Sequence, residues 1–355
     1  VRTTWRRLIG GADHCYVALD IGSRAVKLLE VCGAGEALEV IRAGIAPTPE
    51  GALRNNRVHD VATVAAVIRR LVEGLGVASR RAVTAVPSPT VIIKRVRLEA
   101  RPDDDLDALV VIEAASCVPE SLDNVSLDYH VRRVDEDEVE ALIVAVRKDI
   151  LAGYTSAIAG AGLEPSIVDV DCFALENAFE RSHDTDSEDL VALVDVGARH
   201  SSIHLVKDRV SPITGDVQAG AAEIAAAIVA ATGLSGDAAE RALMGEAVAA
   251  EQEARVRGIV SAGVEALAAA IEQSLRFLWR TASDDLLQAV YVSGGGARLA
   301  GLCAALGERL GRPVELVDPL AGVRVRREID AAMLAAMAPL FAVVVGLGTR
   351  RLDDS

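Results

Sequence analysis

The sequence predicts an α/β protein of two lobes, with a duplicated core and a small α/β subdomain inserted in the first lobe. Three observations carry that reading. The chain has 355 residues, more than one hydrophobic core usually supports. Apolar strands alternate with stretches of helical periodicity along most of its length. One local device occurs twice: an apolar strand stops at Asp-x-Gly and restarts as a second apolar strand, at "VALDIGSRAVKLLEV" (17–31) and again at "LVALVDVGARHSSIHLV" (190–206).

In the first lobe, assigned to 14–88 and 166–188, the opening hairpin is followed by a helix capped by Asp60 and running to Leu75. The buried strand "RAVTAVPS" comes next. The insertion, 89–165, begins with the strand "VIIKRVRLE" and a helix behind the acidic cap of "PDDDLDALVVIEAASCV". Two further strands, "VSLDYHVRRV" and "EALIVAVRK", flank the acidic tip Asp135–Glu138. Those aspartates read as helix-start and turn residues rather than metal ligands. "DILAGYTSAIAGAGLEPSIVDVD" supplies a helix, a glycine stop and another strand, and the polar tract Arg181–Asp189 reads as a linker. The second lobe, 189–350, contains a helix-rich subdomain at about 221–285, and 351–355 form a tail.

Composition narrows the function classes. Half of the residues are apolar but only 3% are aromatic, so the cores are filled by small side chains, and the chain is no disordered scaffold. A net charge of -15 argues against a nucleic-acid binder. Residues 1–13 form a basic tail, with Arg2, Arg6 and Arg7 beside Trp5, read as solvated rather than lipid-bound. Cys15, Cys32, Cys117, Cys172 and Cys303 make no C-x-x-C pair, so they read as reduced, mostly buried thiols of a cytoplasmic protein, with no metal site. Ala331–Thr349 is uncharged, but its Pro339, Gly346 and Gly348 favour a buried terminal helix over a membrane span. The opening residues lack the long apolar region of a signal peptide.

A single Asp-x-Gly turn fits an ordinary hairpin as well as an anion cradle. Its recurrence makes a shared ligand plausible. Two such hairpins facing each other across a cleft enclose a polyphosphate: turn amides and hydroxyls donate to phosphate oxygens, and the aspartates hold Mg²⁺, often through its waters. Lys27 either adds a positive charge on the first side or is a strand residue facing solvent. A third element, "QAVYVSGGGARLAGL" (288–302), runs a buried strand into Gly294-Gly295-Gly296, where backbone can approach a ligand that a Cβ would exclude.

These three elements, in this order, resemble the actin-like ATPase superfamily. Within it, "VPESLDNVSLDYHV", "ALIVAVRKDIL", "AGLEPSIVDVD" and "APLFAVVVGLGTR" resemble the PilM family of type IV pilus assembly. The resemblance implies an actin-like two-lobed fold that binds ATP and Mg²⁺. Asp20 and Asp195 would be the magnesium-side carboxylates, Gly22, Ser23, Arg24 and Gly197 the phosphate-turn residues, and Lys27 a charge beside them. Gly294, Gly295, Gly296 and Arg298, at the start of the next helix, would form the adenosine side. Glu240, in "AAERAL", resembles a family glutamate that reaches the nucleoside, but the family's lysine three residues on is here Leu243. The paired glycine before the preceding helix is here Ala219-Gly220.

By the same resemblance, the chain is expected to be a cytoplasmic adaptor, peripheral to the inner membrane, that serves type IV pilus assembly and twitching motility. Its partners would be the tail of a PilN-like membrane protein, held at an edge strand of the insertion (Val91–Leu98 or Val125–Val134), and the assembly motors. Self-association is compatible with this role. ATP turnover is expected to be slow at most, since no water-activating residue is identifiable. Two alternatives remain: a small-molecule kinase of the same superfamily, for which no motif assigns the general base, and an FtsA-like filament former, whose basic amphipathic end helix has no counterpart in the closing "RRLDDS".

Overall fold

The chain opens with a hairpin, β1 (Cys15–Ile21) and β2 (Ala25–Cys32), followed by β3 (Glu39–Pro47), the short pair β4 (Leu53–Arg54) and β5 (Arg57–Val58), α1 (Val61–Leu75) and β6 (Arg81–Val86). This computed structural model describes residues 15–33, 37–101, 104–183, 189–207, 210–282 and 286–351. The basic tail 1–13, most of the linker and all but the first residue of the final tail lie outside the described residues. Asp60 caps α1, its carboxylate accepting from the Thr63 amide at 2.9 Å.

The insertion follows as β7 (Val91–Glu99), α2 (Leu106–Cys117), β8 (Val125–Arg133) and β9 (Glu138–Arg147). Then come α3 (Lys148–Gly160), β10 (Glu164–Val170) and α4 (Asp171–Ser182). The second half runs β11 (Leu190–Val196), β12 (Ser201–Lys207), β13 (Val210–Val217), α5 (Ala221–Thr232), α6 (Gly236–Leu243), α7 (Ala250–Ala282), β14 (Leu287–Ser293), α8 (Leu302–Leu310) and β15 (Val314–Leu316). It closes with β16 (Arg324–Val325), α9 (Ala331–Ala336) and α10 (Ala342–Leu347).

Two sheets carry the duplication. The first is ordered β10-β6-β1-β2-β3-β16 and the second β13-β12-β11-β14-β15. In each, an antiparallel hairpin (β1-β2, β11-β12) is extended on one side by a third antiparallel strand and on the other by two parallel strands. Pleat alternation then builds a layered core. Leu190, Ala192, Val194 and Val196 of β11 enter the core under α5, α7 and α8, whereas Val191 and Leu193 face a middle core shared with α4, α10 and the first sheet. The other face of the first sheet is covered by α1 and α3.

Several expectations meet a difference here. Periodicity identified α3 and β10 but not their neighbours. Tyr154 and Ile158 of α3 are fully buried with α1 in the first-lobe core, and β10 pairs parallel with β6, so the inserted sheet itself (β7-β9-β8) ends at Arg147. In the same way β16 and α10, assigned to the second lobe, pair with β3 and pack on α4. Ala331–Thr349 is not one buried helix: α9 exposes Ala331, Ala332 and Met333, a turn containing Pro339 follows, and α10 is buried. Gly346 is needed there, because a Cβ would strike the Ala174 carbonyl of α4. Among the described residues no single helix is long and apolar enough to cross a membrane. The cysteines are not all thiols either. Cys15 and Cys32 are directly opposite in the β1–β2 register, with Cα atoms 4.1 Å apart, and form a disulfide, a pairing that sequence spacing does not reveal.

Candidate functional site

The parallel strands β1, β6 and β10 of one sheet and β11 and β14 of the other end at a common cleft of about 250 Å³. Both hairpin turns at its edge close in the same way: the Gly22 amide donates to Ala25 O and the Gly197 amide to His200 O, each at 3.1 Å. At Gly197 a Cβ would come within 2.6 Å of His200 O. The Gly197 and Ala198 carbonyls accept from the Ala221 and Ala222 amides at 3.2 and 2.8 Å, which ties the second turn to the N-terminus of α5. That contact requires Gly220, whose Cβ would lie 2.5 Å from Ala198 O.

Asp20 and Lys27 are cross-strand partners, and Lys27 Nζ lies 2.6 Å from Asp20 Oδ2. Lys27 is only 16% exposed, so it points into the cleft and not to solvent. Burial works against its charge, but Asp20, with Asp195 further off, holds its pKa above the ordinary value. Asp195 lies beside Ser293 in the parallel register and accepts from Ser293 Oγ at 2.8 Å. Its burial pushes its pKa up, against the opposing pull of Lys27 and Ser293.

Gly294 has φ +85°, a left-handed conformation, and a Cβ there would fall 2.5 Å from Val196 O and 2.7 Å from Asp195 Oδ1. The glycine turn thus lies directly against the second hairpin. Arg298 closes a 3₁₀ turn over Gly296–Arg298, and α8 begins only at Leu302, so Arg298 is not the first residue of that helix as the sequence suggests. On α6, Glu240 binds the Arg24 guanidinium of the first turn, and Asp237 lies 3.8 Å from the same group. Leu243 is buried and presents an apolar wall where the family lysine would stand.

Asp20, Gly22, Ser23, Arg24, Lys27, Asp195, Gly197, Glu240, Gly294, Gly295, Gly296 and Arg298 therefore all line one cleft. Sequence reasoning missed Asp171, the first residue of α4, which lines it too. The Ser88 amide donates to Asp171 Oδ1 at 2.8 Å. Burial lifts this carboxyl to about 7; the Ser88 amide pulls the other way, and Asp195 and Asp20 add to the rise. A usable signal existed: "SIVDVD" is a third apolar strand that stops at an aspartate.

The donor set suits a hydrated cation better than a dehydrated one. Among the described residues no group of three or more His, Cys, Asp or Glu side chains could hold a metal ion, and Asp20 is engaged by Lys27. Mg²⁺, which keeps several waters and takes one or two carboxylates plus phosphate oxygens, fits Asp20 and Asp195 on those terms.

A family profile described as type IV pilus assembly protein PilM matches residues 18–352. The chain belongs to the PilM family. A solved structure described as a PilM-PilN type IV pilus biogenesis complex is 26% identical, with a TM-score of 0.80, covering 94% of this chain and 98% of that one. Two more distant structures share the fold. The ethanolamine utilization protein EutJ of Carboxydothermus hydrogenoformans is 16% identical (TM-score 0.57; 94% and 89% covered), and MreB 5 of Spiroplasma citri bound to AMPPNP is 8% identical (0.52; 95% and 95%). The fold is the two-lobed actin-like fold, and this PilM-family chain is a type IV pilus assembly protein.

Proposed function

We propose that the chain is an ATP-binding adaptor of the inner-membrane pilus machine, whose insertion captures the cytoplasmic tail of a PilN-like membrane protein. The observation that carries this reading is the uncovered face of the inserted sheet. Val139, Ala141, Ile143 and Ala145 of β9 point to the α2 side and are buried. The alternate residues Leu142 and Val144, with Ile93 opposite Val144 on β7, are half-buried and belong to none of the described hydrophobic cores. Val91 and Val146, on the same face, pack on the first-lobe core, so this apolar strip sits at the junction of insertion and lobe. Both β7 and β8 are edge strands. An extended peptide can pair with such an edge and place alternate side chains on the strip. The similar PilM-PilN complex supports PilN as the partner.

In this reading the cleft takes Mg-ATP. The two turns offer amides to the phosphates, Asp20 and Asp195 face the hydrated cation, and Gly294–Gly296 leave room for the adenosine side. Leu243 makes the nucleoside wall apolar. Asp171 is the group placed to accept a proton from water in the cleft, and a carboxyl near 7 is only partly ionised at neutral pH. Slow hydrolysis, with ATP acting mainly as a ligand that closes the lobes, accords with that. Held by its partner, the chain would be peripheral to the inner membrane, linking it to the pilus motors.

The test is to titrate the PilN tail peptide against the full chain and against a version in which residues 91–147 are replaced by a short Gly-Ser loop. That deletion spares α3 and β10, which belong to the first-lobe core. Binding to the full chain and loss in the trimmed chain is expected. Equal affinity for both, with circular dichroism showing the trimmed chain folded, removes the insertion from the interface.

A further inference from the structure

A second cavity, of about 680 Å³, lies at the opposite end of the first sheet. It is lined by Arg42 of β3, Arg80 and Arg81 at the start of β6, and Arg326 just after β16. Cys15 also lines it, while Asp20 of the same strand lines the nucleotide cleft. The two sites are therefore about 17 Å apart along β1. We propose that this arginine-lined cavity is an anion site for a phosphate group, separate from the cleft.

The charge balance of the lining is the first argument. Glu30 is its one carboxylate and is 2% exposed; Glu30 Oε1 accepts from the Ala78 and Ser79 amides at 3.0 and 2.8 Å. It is thereby turned toward the segment that forms the cavity wall. Arg42, opposite Glu30 in the β2–β3 register, donates to the carbonyls of Leu75 and Ile41, at 2.9 and 2.7 Å, so its position is fixed by backbone rather than by a salt bridge. Arg326 lies 3.7 Å from Glu39, a distant and exposed pair. Arg80 is exposed, and no ion pair or hydrogen bond engages its side chain among the described residues. In a chain of net charge -15, a concave site where Arg80 has no such partner, Arg42 is held by carbonyls and Arg326 meets only a distant carboxylate is a local reversal of field.

Geometry then selects the ligand class. The four arginines come from three separate segments of the chain and line one cavity. A phosphate group carries up to two charges and three acceptor oxygens, enough to engage several planar forks at once, whereas a single carboxylate is satisfied by one. A phospholipid headgroup and a soluble phosphate compound share this chemistry.

The experiment compares wild type with Arg80→Gln/Arg326→Gln, which leaves the better-anchored Arg42 and Arg81 in place. Co-sedimentation is measured with phosphatidylglycerol-containing and with pure phosphatidylcholine vesicles, and inorganic pyrophosphate is titrated by calorimetry. Near an anionic surface each arginine is worth about a 5-fold change in affinity, so the double variant should bind roughly 30-fold more weakly. A loss on the anionic vesicles alone assigns a lipid headgroup; a loss with pyrophosphate assigns a soluble phosphate compound. Wild-type binding to neither probe, equal binding by variant and wild type, or binding only to a polyglutamate peptide overturns the proposal. Should the double variant fail to fold, Arg80→Gln alone gives the same readout, since that side chain has no internal partner to lose.

Discussion

The two hairpins share a backbone and differ in what they do with the aspartate. In the first, Asp20 faces a lysine across the strand pair; in the second, the residue opposite Asp195 is Ser202, and the hydrogen bond comes from Ser293 of the neighbouring parallel strand. One carboxylate is neutralised by a full charge and the other is held by a neutral donor. Duplication preserved the turn, while the partners of the carboxylates diverged. The first side of the cleft therefore keeps a cation of its own, and the second relies on backbone: Gly294 and Gly220 both press main chain against the second turn.

The sharpest way to break this comparison is to remove each partner. Lys27→Met keeps the side-chain volume but strands Asp20, which is mostly buried, and should cost about 3 to 5 kcal/mol. Ser293→Ala removes one hydrogen bond to a carboxylate and should cost about 1 to 3 kcal/mol. Urea denaturation of both variants at neutral pH checks the order. Equal losses would mean that the two aspartates are held by equivalent interactions after all.

Asp171 sharpens the comparison with a third carboxylate, one with no cationic partner among the described residues and held by the Ser88 amide at 2.8 Å. Its folded-state pKa of about 7 lies above its ordinary value of 3.8, so between those values the folded chain binds a proton that the unfolded chain lacks. Stability contributed by this group is therefore lost as pH rises from about 4 to 7 and is constant above that. Asp171→Asn keeps an acceptor for Ser88 and removes the ionisation. At about 1.4 kcal/mol per pH unit, its advantage over wild type should grow by roughly 2 to 3 kcal/mol between pH 5 and 7. Denaturation curves at several pH values read this directly, and parallel profiles for the two proteins would put Asp171 outside a buried environment.

These three carboxylates also show what was legible in the sequence. Asp20 and Asp195 stand in a short repeated pattern, strand-Asp-x-Gly-strand, and a local pattern is what periodicity and turn chemistry detect. The glycine run was legible for the same reason. Asp171 carries only half of that pattern, an apolar strand that stops at an aspartate with no glycine turn after it, and its place in the cleft depends on β10 pairing with β6 and ending at the same edge as β1, a contact between residues far apart in sequence. The return of β16 and α10 to the first lobe and the Cys15–Cys32 pairing were hidden likewise. Glu240 stood out by resemblance, yet its partner Arg24 lies 216 positions away, on the other side of the cleft.

That last pair sets the smallest expected effect. Arg24 and Glu240 join the first turn to α6, so they span the mouth of the cleft, but their side chains are 49% and 36% exposed and Asp237 is 86% exposed. An exposed ion pair contributes little, because solvent screens it and two long side chains lose freedom to form it. Arg24→Ala should therefore change stability by less than about 1 kcal/mol, far below the Lys27→Met effect. Its consequence should be kinetic. With the link gone the lobes separate more readily, so a fluorescent ATP analogue should associate and dissociate faster. Added salt should bring wild type toward the variant's rates, because screening acts on this exposed pair and hardly on the enclosed Lys27–Asp20 pair. Stopped-flow traces at low and high salt measure both effects, and rates that neither the substitution nor the salt moves would show that the pair bridges the cleft without restraining it.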